Sequence, residues 1–109
     1  MSIDHRLAVY GTLAPGRSNH HQLTGLQGHW RPVSIRGRLV AEGWAATEGH
    51  PALFLDPAGP IVEIQLFESA DLPRHWQRLD DFEGPGYRRT AVAVWVGETT
   101  VKAWIYAAA

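Results

Sequence analysis

The sequence predicts an α+β fold, a small closed or nearly closed mixed β-barrel of about six strands with one main helix and one or two short helices. Three observations predict it. The chain has 109 residues, enough for a single domain with one core, and no linker, repeat or low-complexity tract divides it. Short apolar or alternating segments recur between breaks rich in Gly and Pro, which is the signature of strands. One segment only, Asp71 to Phe82, carries a convincing helical pattern. Many short strands in a small domain have edges to hide, and closing the sheet hides them. A sandwich with a helix across one end is the rival arrangement.

Each element has its own warrant. Leu7 to Tyr10 reads as a short strand, broken by Gly11-Thr12-Leu13-Ala14-Pro15-Gly16. Ser18 and Asn19 are candidate caps for a short helix between His20 and Leu26. Val33 to Val40 alternates, with Val33, Ile35, Gly37 and Leu39 on one face and Ser34, Arg36 and Arg38 on the other. Glu42 to Pro51 reads as a loop. Ala52 to Leu55 is a short strand stopped by the turn signal Asp56-Pro57-Ala58-Gly59-Pro60, and Ile61 to Phe67 is the next. In the helix, Ser69 or Asp71 can cap, Pro73 sits in the first turn and Gly84 follows the end. Arg89 to Val96 and Thr100 to Tyr106 alternate again on either side of Gly97-Glu98, as a hairpin requires.

Composition narrows the function. The apolar share of 45% and charged share of 19% suit a globular protein. A formal net charge of −1 gives no basic surplus for nucleic acid or an anionic membrane. The chain has no Cys, which excludes a disulfide framework, a thiolate nucleophile and a Cys-ligated zinc site. No apolar run is long enough to span a membrane and no signal core follows the N-terminus, so the expected location is the cytoplasm. Five Trp is an unusual count. Core filling is the ordinary use of indoles and pocket lining the other.

Glu83 stands out among the titratable residues. Leu72, Trp76 and Leu79 form the inward stripe of the helix, and Glu83 follows four residues after Leu79 on the same face. Burial there disfavours its charged form. The negative end of the helix dipole does the same, and so does Asp80 one turn back. Asp80 and Asp81 themselves fall on faces expected to be wet. All three effects raise the Glu83 pKa toward the range useful for acid–base chemistry. Pairing with Arg78, Arg88 or Arg89 would oppose them. For an isolated helix-terminal Glu, capping or an ion pair is the ordinary role.

Two motifs bear on that choice. Val9-Tyr10-Gly11-Thr12-Leu13, with Pro15-Gly16 and Asn19 after it, resembles the V-Y-G-[ST]-L-x-x-G signature of the γ-glutamylcyclotransferase-like (AIG2-like) family. Leu79-Asp80-Asp81-Phe82-Glu83-Gly84, followed by Tyr87-Arg88-Arg89, resembles that family's L-D-x-x-E-G motif with its trailing aromatic and Arg. Ala103-Trp104-Ile105-Tyr106 resembles the closing A-[WY]-x-Y strand, so the likeness runs from Leu7 to Tyr106. In the middle strand the family often carries V-x-G-E-[LV]-Y. Here Ile64 stands for the Gly and Gln65 for the acid, so a side chain fills space that the family leaves open.

The resemblance implies that Tyr10, Gly11, Thr12 and Leu13 contact the substrate's glutamyl end or 5-oxoproline, and that Glu83 is the catalytic acid/base. Residue chemistry agrees. Gly11 permits close approach of a ligand to the backbone, and successive N–H groups in a turn form an anion-binding concavity. Tyr87 and Tyr106 either line the pocket or pack the barrel. The implied reaction is release of 5-oxoproline from a γ-glutamyl amine or peptide, with no metal or cofactor and a small molecule as the only partner. A binding module that holds a carboxylate or amine ligand without turning it over is the alternative. A metal site at His20 and His21 is disfavoured because adjacent side chains diverge. An interaction protein with exposed Trp is a further class, readable by concentration-dependent sizing. Oligomeric state is not written in the sequence.

Overall fold

The computed structural model describes residues 2–11, 13–40 and 52–108. The expected loop from Glu42 to Pro51, and Thr12 of the first motif, lie outside the described residues. Six strands form one sheet: β1 (Arg6–Val9), β2 (His29–Val40), β3 (Ala52–Leu55), β4 (Ile61–Glu68), β5 (Tyr87–Val96) and β6 (Thr99–Ala108). The ladder runs β2-β4-β1-β6-β5, and β5 returns to β2 through the pairing of Ser34 with Trp95, closing a barrel. The short β3 is an additional strand on the far end of β2, from Gly37 to Val40. The β1–β6 ladder is parallel and every other pairing is antiparallel, so the barrel is mixed.

The strands form where alternation places them. β5 and β6 are a hairpin around Gly97-Glu98, and Gly97 takes the left-handed φ of 62° that such a turn requires. β2 begins at His29, earlier than the alternation suggests. Pro32 interrupts the sequence pattern, yet His29 to Arg36 pair continuously with β4. The register, a tertiary property, recruits these residues. At the other end Leu39 is exposed and leaves the inward face that Val33, Ile35 and Gly37 keep.

The expected helix is shorter than its pattern and splits in two. Leu72–Arg74 forms a 3-10 turn that His75 closes on the Leu72 carbonyl, and only Trp76–Glu83 is α-helical (α1). His75, at φ −119° and ψ −4°, departs from helical geometry and separates the pieces. Asp71 makes no capping bond and instead accepts from the Gln27 N–H and from Arg74. The short helix expected after Asn19 is a 3-10 turn, His20–Gln22, and Asn19 gives it no side-chain cap.

Two apolar clusters sit on either side of the sheet. The barrel interior holds Ala8, Val33, Ile35, Leu53, Ile64, Leu66, Val94, Ala103 and Ile105. Ile64, the side chain that replaces the family's Gly, lies in this cluster and is buried. The outer cluster joins Leu7, Val9, Phe67 and Tyr106 from the strands to Leu72, Trp76 and Leu79 and to Leu13 and Leu23 of the first loop. The alternation of β1 and β6 thus serves both layers, because successive side chains face opposite sides of a strand. The predicted helical stripe is confirmed, with Leu72 and Leu79 fully buried. This second layer fixes α1, and hence Glu83, over the end of β1 and β6.

Candidate functional site

Glu83 closes α1, and Gly84 beyond it has a φ of 77° that turns the chain away. The side chain is half-buried, and burial pushes its pKa from 4.5 to about 7. Of the three effects expected to raise it, desolvation is the one the structure supports. Asp80 keeps the partly wet face expected of it, with 37% of its side chain exposed, but it adds no open negative charge because it is paired. Its Oδ1 accepts the Tyr106 hydroxyl at 2.7 Å, and the Arg89 guanidinium forks onto its two oxygens at 2.8 and 3.2 Å. Burial works against the Asp80 charge, but Arg89 and Tyr106 outweigh it and hold the carboxyl below its usual range. The arginines expected to compete for Glu83 are engaged elsewhere or exposed. Arg89 holds Asp80, Arg78 donates to the Gln22 side chain and carbonyl, and Arg88 is exposed on β5.

Tyr10 follows directly on β1 and donates its hydroxyl hydrogen bond to the Tyr106 carbonyl at 2.6 Å. Burial pushes the Tyr10 hydroxyl pKa far up, a backbone hydrogen bond from Leu53 offsets part of this, and the charges of Tyr87 and Glu83 add to the rise. The Tyr106 hydroxyl is raised by burial first, then by its bond to Asp80, with Glu83 contributing as well. Both phenols are therefore protonated donors at neutral pH, and both feel Glu83. Tyr10, Tyr87, Tyr106 and Glu83 thus form one electrostatic neighbourhood drawn from the residue after β1, from β5 and β6, and from α1.

The first-motif loop is held from beneath. Leu13 is buried in the outer cluster, its carbonyl lies 2.9 Å from His20 Nδ1, and the Ala14 N–H donates to the Gly11 carbonyl. Arg78 bridges from α1 to Gln22 just beyond, so the loop and the helix carrying Glu83 are tied together. At Gly11 a built Cβ meets nothing within 4 Å among the described residues. Among the described residues the glycine fills no tight corner of the fold. His20 packs against Trp30, and His21 against the Gln22 amide. Among the described residues no group of three His, Asp or Glu is placed to hold a metal ion, and no helix is long and apolar enough to cross a membrane.

Sequence reasoning missed His20 as a support for the loop, for which spacing gives no signal. It also missed the surroundings of Arg89. The guanidinium lies between the Trp76 and Trp104 rings, 4.6 Å from each centroid. Trp76 donates its indole N–H to the Asp4 carbonyl and Trp104 to the Asp4 carboxylate. The signals available were the Trp count and the Arg of the second motif.

Comparison with known proteins supplies the family. No curated protein matches the chain. Among solved structures, YkqA from Bacillus subtilis superposes with a TM-score of 0.72 at 27% identity, over 95% of this chain and 35% of YkqA. The chain thus spans about a third of that relative. An AIG2-like protein from Mus musculus (A2LD1, GGACT) gives a TM-score of 0.63 at 30% identity, over 96% of this chain and 77% of the other. Protein PH0828 from Pyrococcus horikoshii shares the fold, with a TM-score of 0.66 at 24% identity over 94% of this chain and 76% of that one. The family described as gamma-glutamyl cyclotransferase, AIG2-like, matches residues 7–109. That stretch contains the barrel strands from Leu7 onward, the loop after β1 and the helix that ends in Glu83, and the chain belongs to the gamma-glutamyl cyclotransferase, AIG2-like family.

Proposed function

We propose that the chain is a γ-glutamylcyclotransferase-type enzyme that releases 5-oxoproline from a small γ-glutamyl amine or peptide, with Glu83 as the proton-transferring group. The observation that carries this reading is a carboxyl poised at about 7 by burial, whose charge is felt at Tyr10 at the start of the first-motif loop. Membership of the family supports the reaction class.

The reaction is an intramolecular aminolysis. The substrate's α-amine attacks its own γ-amide carbonyl carbon. A C–N bond forms, the ring closes, and the bond to the departing amine breaks. A free α-amine has a reference pKa of about 7.7–8.0, so most of it is ammonium at neutral pH and carries no lone pair. The α-nitrogen sheds two protons. Ionised Glu83 takes the first and releases it to solvent, then takes the second as the C–N bond forms and donates it to the leaving nitrogen, which departs as a neutral amine. A midpoint near 7 suits both halves of the cycle. The backbone of Tyr10, Gly11, Thr12 and Leu13 holds the glutamyl carboxylate and fixes the amine for attack. Tyr87 and Tyr106 line the site. Both phenolic hydrogens of Tyr10 and Tyr106 are committed to protein acceptors, so these residues offer the substrate ring faces and oxygen lone pairs.

A 5-oxoproline release assay over γ-glutamyl amino acids, γ-glutamyl amines, ε-(γ-glutamyl)lysine and glutathione tests the reading. Turnover of one donor, lost about 10²–10⁴-fold in Glu83→Gln, supports it. A donor turned over equally well by the Gln variant contradicts the role of Glu83. Binding of 5-oxoproline with no turnover of any donor points to a binding module.

A further inference from the structure

Among the described residues, the most elaborate polar construction outside the proposed reacting groups surrounds Arg89. The 3-10 turn Ile3–His5 presents Asp4, which fixes the edges of two indoles at 3.1 Å (Trp76) and 2.8 Å (Trp104). Their faces enclose the guanidinium. Arg89 Nε and Nη2 fork onto Asp80, and the Tyr106 hydroxyl adds a bond to the same Oδ1. Asp80 lies three residues before Glu83 on α1, and residues so spaced are neighbours on a helix surface.

We propose that Asp80 and Arg89 form a charge-neutral strut, clamped by Trp76 and Trp104, that orients Tyr106 and keeps either charge from acting alone on the Glu83 carboxyl. They are positioning residues, and the inference rests on the reading of Glu83 as the acid/base. Either charge alone would spoil the site. An unpaired Arg89 would hold Glu83 ionised and unable to return a proton. An unpaired Asp80 would keep it protonated and unable to accept one. At an effective dielectric near 20, a lone charge about one helical turn away moves a titration midpoint by roughly one pH unit or more. Among the described residues, the other groups whose titration senses Glu83 are phenols, Tyr10 just after β1 and Tyr106 on β6, and Tyr87 on β5 acts on Tyr10. On α1 itself, Gln77 holds Asp81, and Arg78 is bound to Gln22 and His75. Arg88 is exposed on β5. Burial is then what sets Glu83.

The test is an NMR pH titration of the Glu83 carboxyl carbon in Glu-labelled protein, assigned by its absence in Glu83→Gln. Asp80→Asn leaves Arg89 uncompensated and should lower the midpoint by about half a pH unit or more. Arg89→Met leaves Asp80 uncompensated and should raise it by a similar amount, and the double variant should return to within about 0.3 pH units of wild type. A merely structural role would move both single variants the same way, toward the ordinary glutamate value. Shifts in one direction, or no shift, overturn the strut. If Arg89→Met fails to fold, Arg89→Lys decides against Asp80→Asn, because it keeps the charge and should leave the midpoint in place. A wild-type midpoint at the ordinary glutamate value would instead overturn the acid–base reading of Glu83, which separates the two failures.

Discussion

Tyr10 donates its hydroxyl to the main-chain carbonyl of Tyr106 at 2.6 Å, across the parallel ladder of β1 and β6. The bond ties the entry of the first-motif loop to the strand whose next side chain layer faces α1. Tyr10→Phe removes the donor and leaves a partly buried acceptor. We expect a loss of about 1–2 kcal/mol in urea unfolding. An unchanged unfolding midpoint would show that water replaces the hydroxyl at no cost.

Gly28 and Gly11 behave oppositely, and a single pair of variants exposes the difference. At Gly28 an added Cβ would overlap the Glu68 carbonyl and press on Phe67 and Ser69. Gly28→Ala should therefore destabilise the fold by at least about 2 kcal/mol. At Gly11 the same methyl meets open space among the described residues. Gly11→Ala should leave stability within about 0.5 kcal/mol of wild type, while Gly11→Val weakens 5-oxoproline binding in calorimetry because it crowds the ligand. Unchanged affinity in Gly11→Val removes the loop from the site.

Glu83 also links stability to pH. Its midpoint is about 7 in the folded protein against 4.5 ordinarily, so the folded state keeps a proton that the unfolded chain has released. The stabilising contribution is fully present below about pH 4.5 and is lost as pH rises through about 7, an effect on the order of 1–3 kcal/mol. Tm should fall between pH 5 and 8 more steeply in wild type than in Glu83→Gln. Parallel curves would mean that the carboxyl is solvated after all.

Much of this was legible in the chain. The strands were readable because alternation survives wherever one face is buried, as at Val92, Val94 and Val96. The partial burial of Glu83 was readable because Leu72, Trp76 and Leu79 set the phase of the helix. Most of what escaped is long-range. The early start of β2 depends on register with β4, and the break at His75 depends on a local dihedral that the apolar stripe masks. Asp80 is partly solvent-facing as its phase suggests, but helical phase alone cannot show that Arg89 and Tyr106 arrive from β5 and β6 to pair with it. The indole clamp joins Asp4, Trp76, Arg89 and Trp104, up to 100 residues apart, and no spacing rule connects them. The contact residues around Tyr10 rest on the motif itself, and Thr12 lies outside the described residues.

The pH profile of kcat/KM for 5-oxoproline release, wild type beside Glu83→Gln, tests the central claim most directly. In the free enzyme it reports the essential groups. The account predicts a rising limb with unit slope and a midpoint near the Glu83 value of about 7, absent from the residual activity of the Gln variant. A wild-type limb centred near 4.5, the ordinary glutamate value, or one that persists unchanged in the variant, would contradict it.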